Sequence, residues 1–163
     1  MNRPALEHQI HALLSNSGAT IAAAESCSGG LVAARITSVA GSSEYFLGSI
    51  VAYSNDLKQR ILGVSSETLS QRGAVSAECA SEMAAGVREL TGATISVSTT
   101  GIAGPGGATA RKPVGLIYFA CASVAGVDVY DVHWHGDRRH NMEDAAEYAL
   151  ELILDAASAQ LNV

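Results

Sequence analysis

Ala19-Thr20-Ile21-Ala22-Ala23-Ala24-Glu25-Ser26-Cys27-Ser28-Gly29-Gly30-Leu31 is the stretch that decides the fold. Ala19 to Ala24 is a short apolar run of strand length. A turn of hydroxyl, thiol and glycine residues ends it, and a helical pattern follows from Leu31 to Ser38. Upstream, Pro4 suits a first helical turn, and Leu6, Ile10, Leu13 and Leu14 recur at helical spacing before Ser15-Asn16-Ser17-Gly18. Downstream, Val39 to Ser43 reads as a loop and Ser49 to Tyr53 as a strand. Ser54-Asn55-Asp56 caps a short helix to Gly63, and Ser66 to Gln71 forms another. Val75-Ser76 opens a longer helix with Met83, Val87 and Leu90 on one stripe, closed by Gly92. Ala93 to Thr99 is a β-branched strand. Val114 to Val124 and Val127 to Trp134, joined by Ala125-Gly126, form an antiparallel hairpin. Asn141 is expected to cap the last helix, with Asp144 in box position. Helices that alternate with strands early, with a hairpin late, predict an α/β sandwich: a mixed sheet with helices on both faces.

The chain has 163 residues, 48% of them apolar and 16% charged, which fits one globular domain over residues 1–163. Ten basic and sixteen acidic residues give a net charge of −6, so general binding to nucleic acid or to an anionic membrane is not expected. A small phosphorylated ligand held by a few local donors remains compatible with that charge. Cys27, Cys79 and Cys121 are odd in number and contain no CxxC pair, which fits a reducing compartment. Met1-Asn2-Arg3-Pro4 leads into the first helix rather than into a signal peptide, and no apolar run is of membrane-spanning length. The expectation is a cytoplasmic protein.

Ser26 stands between a strand end and a helix start, where a hydroxyl is exposed at the sheet edge beside the turn amides. That is the physics of a nucleophile elbow with an oxyanion hole at Cys27 to Gly29, although the GxSxG pattern is absent. Small residues at Ser28, Gly29 and Gly30 let a substrate approach the backbone; a helix cap explains the same residue types equally well. The base that a serine needs has two sources. His8, His11, His133, His135 and His140 lack an obvious orienting carboxylate, and the His133/His135 pair is a weak metal fragment without a third ligand. Lys58 follows a strand end, so it and Tyr53 can meet Ser26 at one sheet edge. A lysine base must be neutral, which requires burial or a neighbouring cation. Glu25 either orients that lysine or bonds to turn backbone; an acidic partner would raise the lysine pKa. Thr99-Thr100-Gly101-Ile102-Ala103-Gly104-Pro105-Gly106-Gly107 forms a nest of amide donors for an anion, and Arg138 and Arg139 suit bidentate phosphate binding.

Several of these pieces together resemble the CinA C-terminal domain family, the nicotinamide-nucleotide amidases. Ala24 to Gly30 is similar to its AESCTGG motif and Tyr53-Ser54-Asn55-Asp56-Leu57-Lys58 to its YSNxxK element. Gly73-Ala74-Val75-Ser76, Thr100 to Pro105, Lys112-Pro113-Val114-Gly115 and Gly136-Asp137-Arg138 follow in the family's order. The resemblance spans roughly residues 6–160 and implies a three-layer α/β/α domain with a mostly parallel mixed sheet, often dimeric. It implies hydrolysis of nicotinamide mononucleotide to nicotinic acid mononucleotide and ammonia without cofactor or metal. Ser26 would be the nucleophile, Lys58 the base and Tyr53 its assistant. Cys27, Ser28, Gly29, Gly30, Thr100, Gly101, Gly104 and Arg138 would bind the substrate. In many members a molybdopterin-binding-like domain precedes this one; here the domain is expected to stand alone. Ser28 replaces the usual Thr, Gly106 the Asp of a GPDGG loop, Ala108 its second Gly, and Met142 an Arg. Those differences support a competing reading, a non-catalytic module for a pyridine nucleotide or another phosphorylated metabolite. A dimerisation domain without ligand is the third.

Overall fold

Strand β1 (Ile21–Glu25) lies inside the sheet with every residue buried, so both of its faces need apolar partners. Its alanines make that possible, because helices can approach small side chains closely on both sides. The computed structural model describes residues 4–162; the Met1-Asn2-Arg3 lead-in and Val163 lie outside the described residues. Around β1 the order is α1 (Leu6–Leu14), α2 (Leu31–Thr37), β2 (Phe46–Val51), α3 (Asn55–Leu62), α4 (Ser66–Gln71), α5 (Ala77–Thr91), β3 (Ile95–Gly101), β4 (Leu116–Ser123), β5 (Gly126–His133) and α6 (Arg138–Leu161).

The sheet runs β2-β1-β3-β4-β5. β1 pairs in parallel with β2 and β3, whereas β4 pairs antiparallel with both β3 and β5. The sheet is therefore mixed, with β4 alone reversed. Alternation divides the core into layers. Ile21, Ala23, Ile95, Val97, Ile117 and Phe119 face α1, α2 and α6, meeting Ile10, Val32, Ala149 and Ile153. Ala22 and Ala24 face α3 and α5, against Leu62, Cys79, Met83 and Val87. The architecture is a three-layer α/β/α sandwich.

On the α5 side, β3 presents hydroxyls rather than hydrocarbons. Ser96 Oγ donates to the Ala84 carbonyl at 2.7 Å, Ser98 Oγ to that of Ala80 at 2.6 Å, and Thr100 Oγ1 to that of Ala74 at 2.7 Å. These bonds satisfy buried hydroxyls that would otherwise cost about 1–3 kcal/mol each.

Several element boundaries differ from the expectation. β2 begins at Phe46 rather than Ser49 and ends at Val51, because Gly48 interrupts the apolar pattern that marks a strand. β3 is shifted two residues along, to Ile95–Gly101. β4 starts at Leu116, since Gly115 has φ +88° and gives its amide to the Ile102 carbonyl. The last helix is capped by Asp137, whose side chain accepts from the His140 amide, and not by Asn141. Asn141 lies inside that helix and is fully buried; its amide donates to the carbonyls of Ala103 and Gly136 and accepts from the Gly136 amide. Leu90 falls off the buried stripe of Met83 and Val87 and is exposed.

Gly86 sets the spacing of α3 and α5. A Cβ there would lie 1.8 Å from the Leu62 carbonyl oxygen, a backbone atom that cannot swing away. Gly86→Ala gains about 1 kcal/mol of helix propensity. Forced separation of two packed elements outweighs that gain, at about 1–3 kcal/mol or more. The variant is expected to melt below the parent by about 2–4 °C for each net kcal/mol lost. A melting temperature equal to or above the parent's would count against this packing.

Candidate active site

The parallel part of the sheet places the site. From β1 the chain passes to β2 on one side, and β3 adds on the other, so a crevice opens beyond the carboxyl ends of β1 and β3. Ser26 is the first residue past β1, and its amide donates to the Thr99 carbonyl at 2.9 Å. A cleft of about 260 Å³ lies here, between the Ser26 turn, the start of α3, the Ala74-Val75 strap, the glycine loop and Arg138.

Lys58 projects from α3 into this cleft, where the side chain is almost completely buried. Its Nζ lies 2.9 Å from Ser26 Oγ, 2.7 Å from the Ala52 carbonyl oxygen and 3.4 Å from that of Tyr53. Burial lowers the Lys58 pKa below its usual value, because the ammonium loses its water. The thiols nearby do not reverse this. Burial pushes Cys27 up to about 12 and Cys79 up to about 11, so both are uncharged near neutral pH. A neutral amine has two N–H groups and one lone pair. With the two carbonyls accepting the N–H groups, the lone pair of the neutral form would face the Ser26 hydroxyl.

Of the two roles open to Glu25, orienting Lys58 or bonding the turn, it takes the turn. Oε2 accepts from Ser28 Oγ at 2.8 Å, the Gly30 amide at 2.9 Å and the Val32 amide at 3.1 Å. Oε1 accepts from the Ala33 amide at 3.0 Å and from Ser49 Oγ at 2.8 Å. Gly30, the N-cap of α2, has no side chain to offer, so the preceding strand caps the helix instead. A carboxylate also suits the positive end of the helix dipole.

The structure does not bring three of the expected substrate contacts to the cleft wall. Ser28 is fully buried between Glu25 and Thr99 Oγ1, the latter at 2.7 Å. The Gly29 amide donates to the Ser26 carbonyl, and the Gly30 amide is taken by Glu25. Ser28, Gly29 and Gly30 are absent from the cleft wall; Gly29 packs towards Met142. The expected oxyanion hole narrows accordingly to the Cys27 amide, which has no acceptor among the described residues.

Cys27, Thr100, Gly101, Gly104 and Arg138 do line the cleft. The Thr100 hydroxyl is spent on Ala74. Arg138 Nη1 donates to the Gly104 carbonyl at 2.8 Å and Nη2 to the Tyr53 hydroxyl at 2.9 Å. The Tyr53 phenol therefore reaches Arg138 rather than Ser26 or Lys58; only the Tyr53 carbonyl touches the lysine. The amides of Gly104, Gly106 and Gly107 have no acceptor among the described residues, and beside Arg138 they form a donor set for an anion. No histidine lines the cleft: His11 packs on Tyr45, His133 bonds the Val114 carbonyl, and His140 pairs with Asp137. Among the described residues, no group of three or more His, Cys, Asp or Glu side chains is placed to hold a metal ion.

Sequence reasoning missed the Ala74-Val75 strap and Asn55 as cleft walls. Both sit beside residues that read as helix caps, which masked them. It also missed the Ala52 carbonyl, a backbone group that carries no side-chain signal.

A buried serine–lysine pair at the switch point of an α/β/α sheet defines a class of small domain with the parts for acyl transfer. Within that class the chain belongs to the CinA C-terminal domain family, whose family model matches residues 3–157. It is 48% identical over 159 residues to a CinA-like protein of Chloroherpeton thalassium and 49% identical over 144 residues to one of Syntrophomonas wolfei. Those matches cover 94% and 88% of this chain but 38% and 35% of the relatives, so the chain spans little more than a third of their length. Among solved structures it is similar to the competence/damage inducible protein CihA from Agrobacterium tumefaciens, with 36% identity and a TM-score of 0.88 over 97% of this chain and 98% of that one. A CinA superfamily protein from Klebsiella pneumoniae aligns with 28% identity and a TM-score of 0.90, covering 94% and 96% of the two chains. No helix among the described residues is long and apolar enough to cross a membrane.

Replacing Glu25 tests the turn. In Glu25→Gln an NH₂ group would face backbone and hydroxyl donors, leaving at least one buried donor unpaired at about 1–3 kcal/mol. The expected result is a lower denaturation midpoint by urea titration; an unchanged midpoint would refute the capping role.

Proposed function

We propose that this domain is a serine amidase that deamidates nicotinamide mononucleotide to nicotinic acid mononucleotide and ammonia. The observation that carries the reading is the 2.9 Å approach of a buried lysine amine to a serine hydroxyl inside a cleft. Family membership supports the choice of substrate. Neutral Lys58 takes the Ser26 proton as Oγ attacks the carboxamide carbon, and the negative oxygen that forms meets the Cys27 amide. The proton on Lys58 then passes to the departing nitrogen, which leaves as ammonia. Water, deprotonated by the same amine, hydrolyses the ester, and the proton returns to Ser26. The phosphate sits among the Gly104, Gly106 and Gly107 amides and Arg138, where its binding energy orients a bond it does not touch. Tyr53 acts by fixing Arg138, not by relaying a proton.

The domain works as a homodimer in this proposal. Leu47 and Val51 on the open β2 edge and Leu57 and Ile61 on α3 are large apolar side chains left exposed near the cleft. Light scattering is expected to give twice the chain mass at micromolar concentration; a single-chain mass there would refute dimerisation.

Ammonia release from nicotinamide mononucleotide tests the chemistry. Ser26→Ala is expected to lose turnover to the detection limit while keeping the parent's circular dichroism. Lys58→Arg should be equally inactive, since arginine stays charged. In the parent, the rate should rise with pH as Lys58 loses its proton, with a midpoint below 10.5 because burial favours the neutral form. Turnover retained by either variant would overturn the mechanism. Folded parent protein that binds the mononucleotide without releasing ammonia would instead make this a binding module.

A further inference from the structure

The polar side chains of the cleft have almost all been spent on the protein. Ser26 and Lys58 hold each other, Thr100 holds the Ala74 carbonyl, and Arg138 holds Gly104 and Tyr53. Asn55 is the exception. It lines the cleft, and its carboxamide makes no hydrogen bond among the described residues. Nor is it there for the helix. Ser54 is the N-cap of α3, with its side chain accepting from the Leu57 amide, so Asn55 caps nothing. It occupies the first helical position. Asn55 is exposed to solvent at the cleft, so its carboxamide is free to turn towards a bound ligand.

Its position identifies what it faces. Asn55 precedes Lys58 by three residues on α3, so the two side chains share one helix face, and both reach the same cleft. Lys58 is the group that hands a proton to the departing nitrogen. The side chain beside it on that face therefore borders the nitrogen of the bound amide.

We infer that Asn55 is a specificity-determining residue, whose side-chain oxygen accepts an N–H of the substrate carboxamide and so separates primary amide from carboxylate. This rests on the amidase reading above. A carboxamide nitrogen carries two N–H donors, whereas the product carboxylate has acceptors only. Asn55 Oδ1 facing that position favours the amide and disfavours the acid, which drives product release. The Asn55 amide group is free to turn, so the preference is one of degree, and a carboxylate at this position sharpens it.

The test compares the parent with Asn55→Ala and Asn55→Asp. KM for nicotinamide mononucleotide is measured beside the inhibition constant of nicotinic acid mononucleotide, with melting temperature as a control. Asn55→Ala should raise KM about tenfold, the effect of losing one good hydrogen bond, with a smaller change in kcat. Asn55→Asp should weaken inhibition by the acid at least tenfold more than it raises KM for the amide, because two carboxylates then face each other. A purely structural role would lower the melting temperature and shift both ligands equally, and that result overturns the inference. So does an unchanged KM and inhibition constant in both variants. Parent protein that releases no ammonia overturns the amidase reading first and this inference with it, whereas active parent with unaltered variants overturns only the inference.

Discussion

The carboxylate of Glu25 ties three parts of the chain into one unit. It belongs to the last residue of β1, it caps the helix that follows, and it accepts from Ser49 on the neighbouring strand. The Ser26 turn is suspended between those attachments, so Ser26 cannot shift without breaking bonds to a buried charge. The same saturation has an electrostatic effect. An acid with five donors has little capacity left to pair with the lysine on the other side of the serine. Lys58 consequently meets only carbonyls, a hydroxyl and neutral thiols, and an amine in such surroundings gives up its proton more readily than one beside a carboxylate.

The rest of the cleft follows from small side chains. The alanines of β1 let α3 and α5 come close to the sheet, and the glycine of α5 lets the two helices come close to each other, which brings Lys58 to Ser26. The hydroxyls of β3 fix α5 and the Ala74 strap to the strand that forms the floor. The substrate-facing wall is thus held mainly by backbone, with a few side chains aimed inward.

Much of this was legible in the chain. The apolar run before Glu25 and the glycine turn after it fixed the strand–turn–helix unit, and the hairpin followed from Ala125-Gly126. The pairing of Ser26 with Lys58 was readable from two strand ends expected at one sheet edge. What escaped was set by contacts distant in sequence. Gly48 disguised the first half of β2, since only pairing with β1 makes Phe46 to Gly48 extended. Asn141 was mistaken for a cap because its role, bracketing Ala103 and Gly136, exists only once the glycine loop packs on α6. Tyr53 stands next to the lysine in the sequence motif, yet its phenol turns towards an arginine 85 residues away. Ser28, Gly29 and Gly30 read as ligand donors because nothing local shows that Glu25 claims Ser28 and Gly30 and that the Ser26 carbonyl claims Gly29.

The two edges of the sheet are unequal in a way that bears on how the molecule behaves in a crowded solution. β5 ends the sheet with Asp128 and Asp131, charges that repel another strand approaching side by side. β2 ends it with Phe46-Leu47-Gly48-Ser49-Ile50-Val51, which carries neither charge nor proline. A short, neutral, apolar edge is a template for strand addition. Colloidal stability of this fold is therefore polarised: one flank defends itself by charge, whereas the other carries no such defence and is the side from which aggregates can grow.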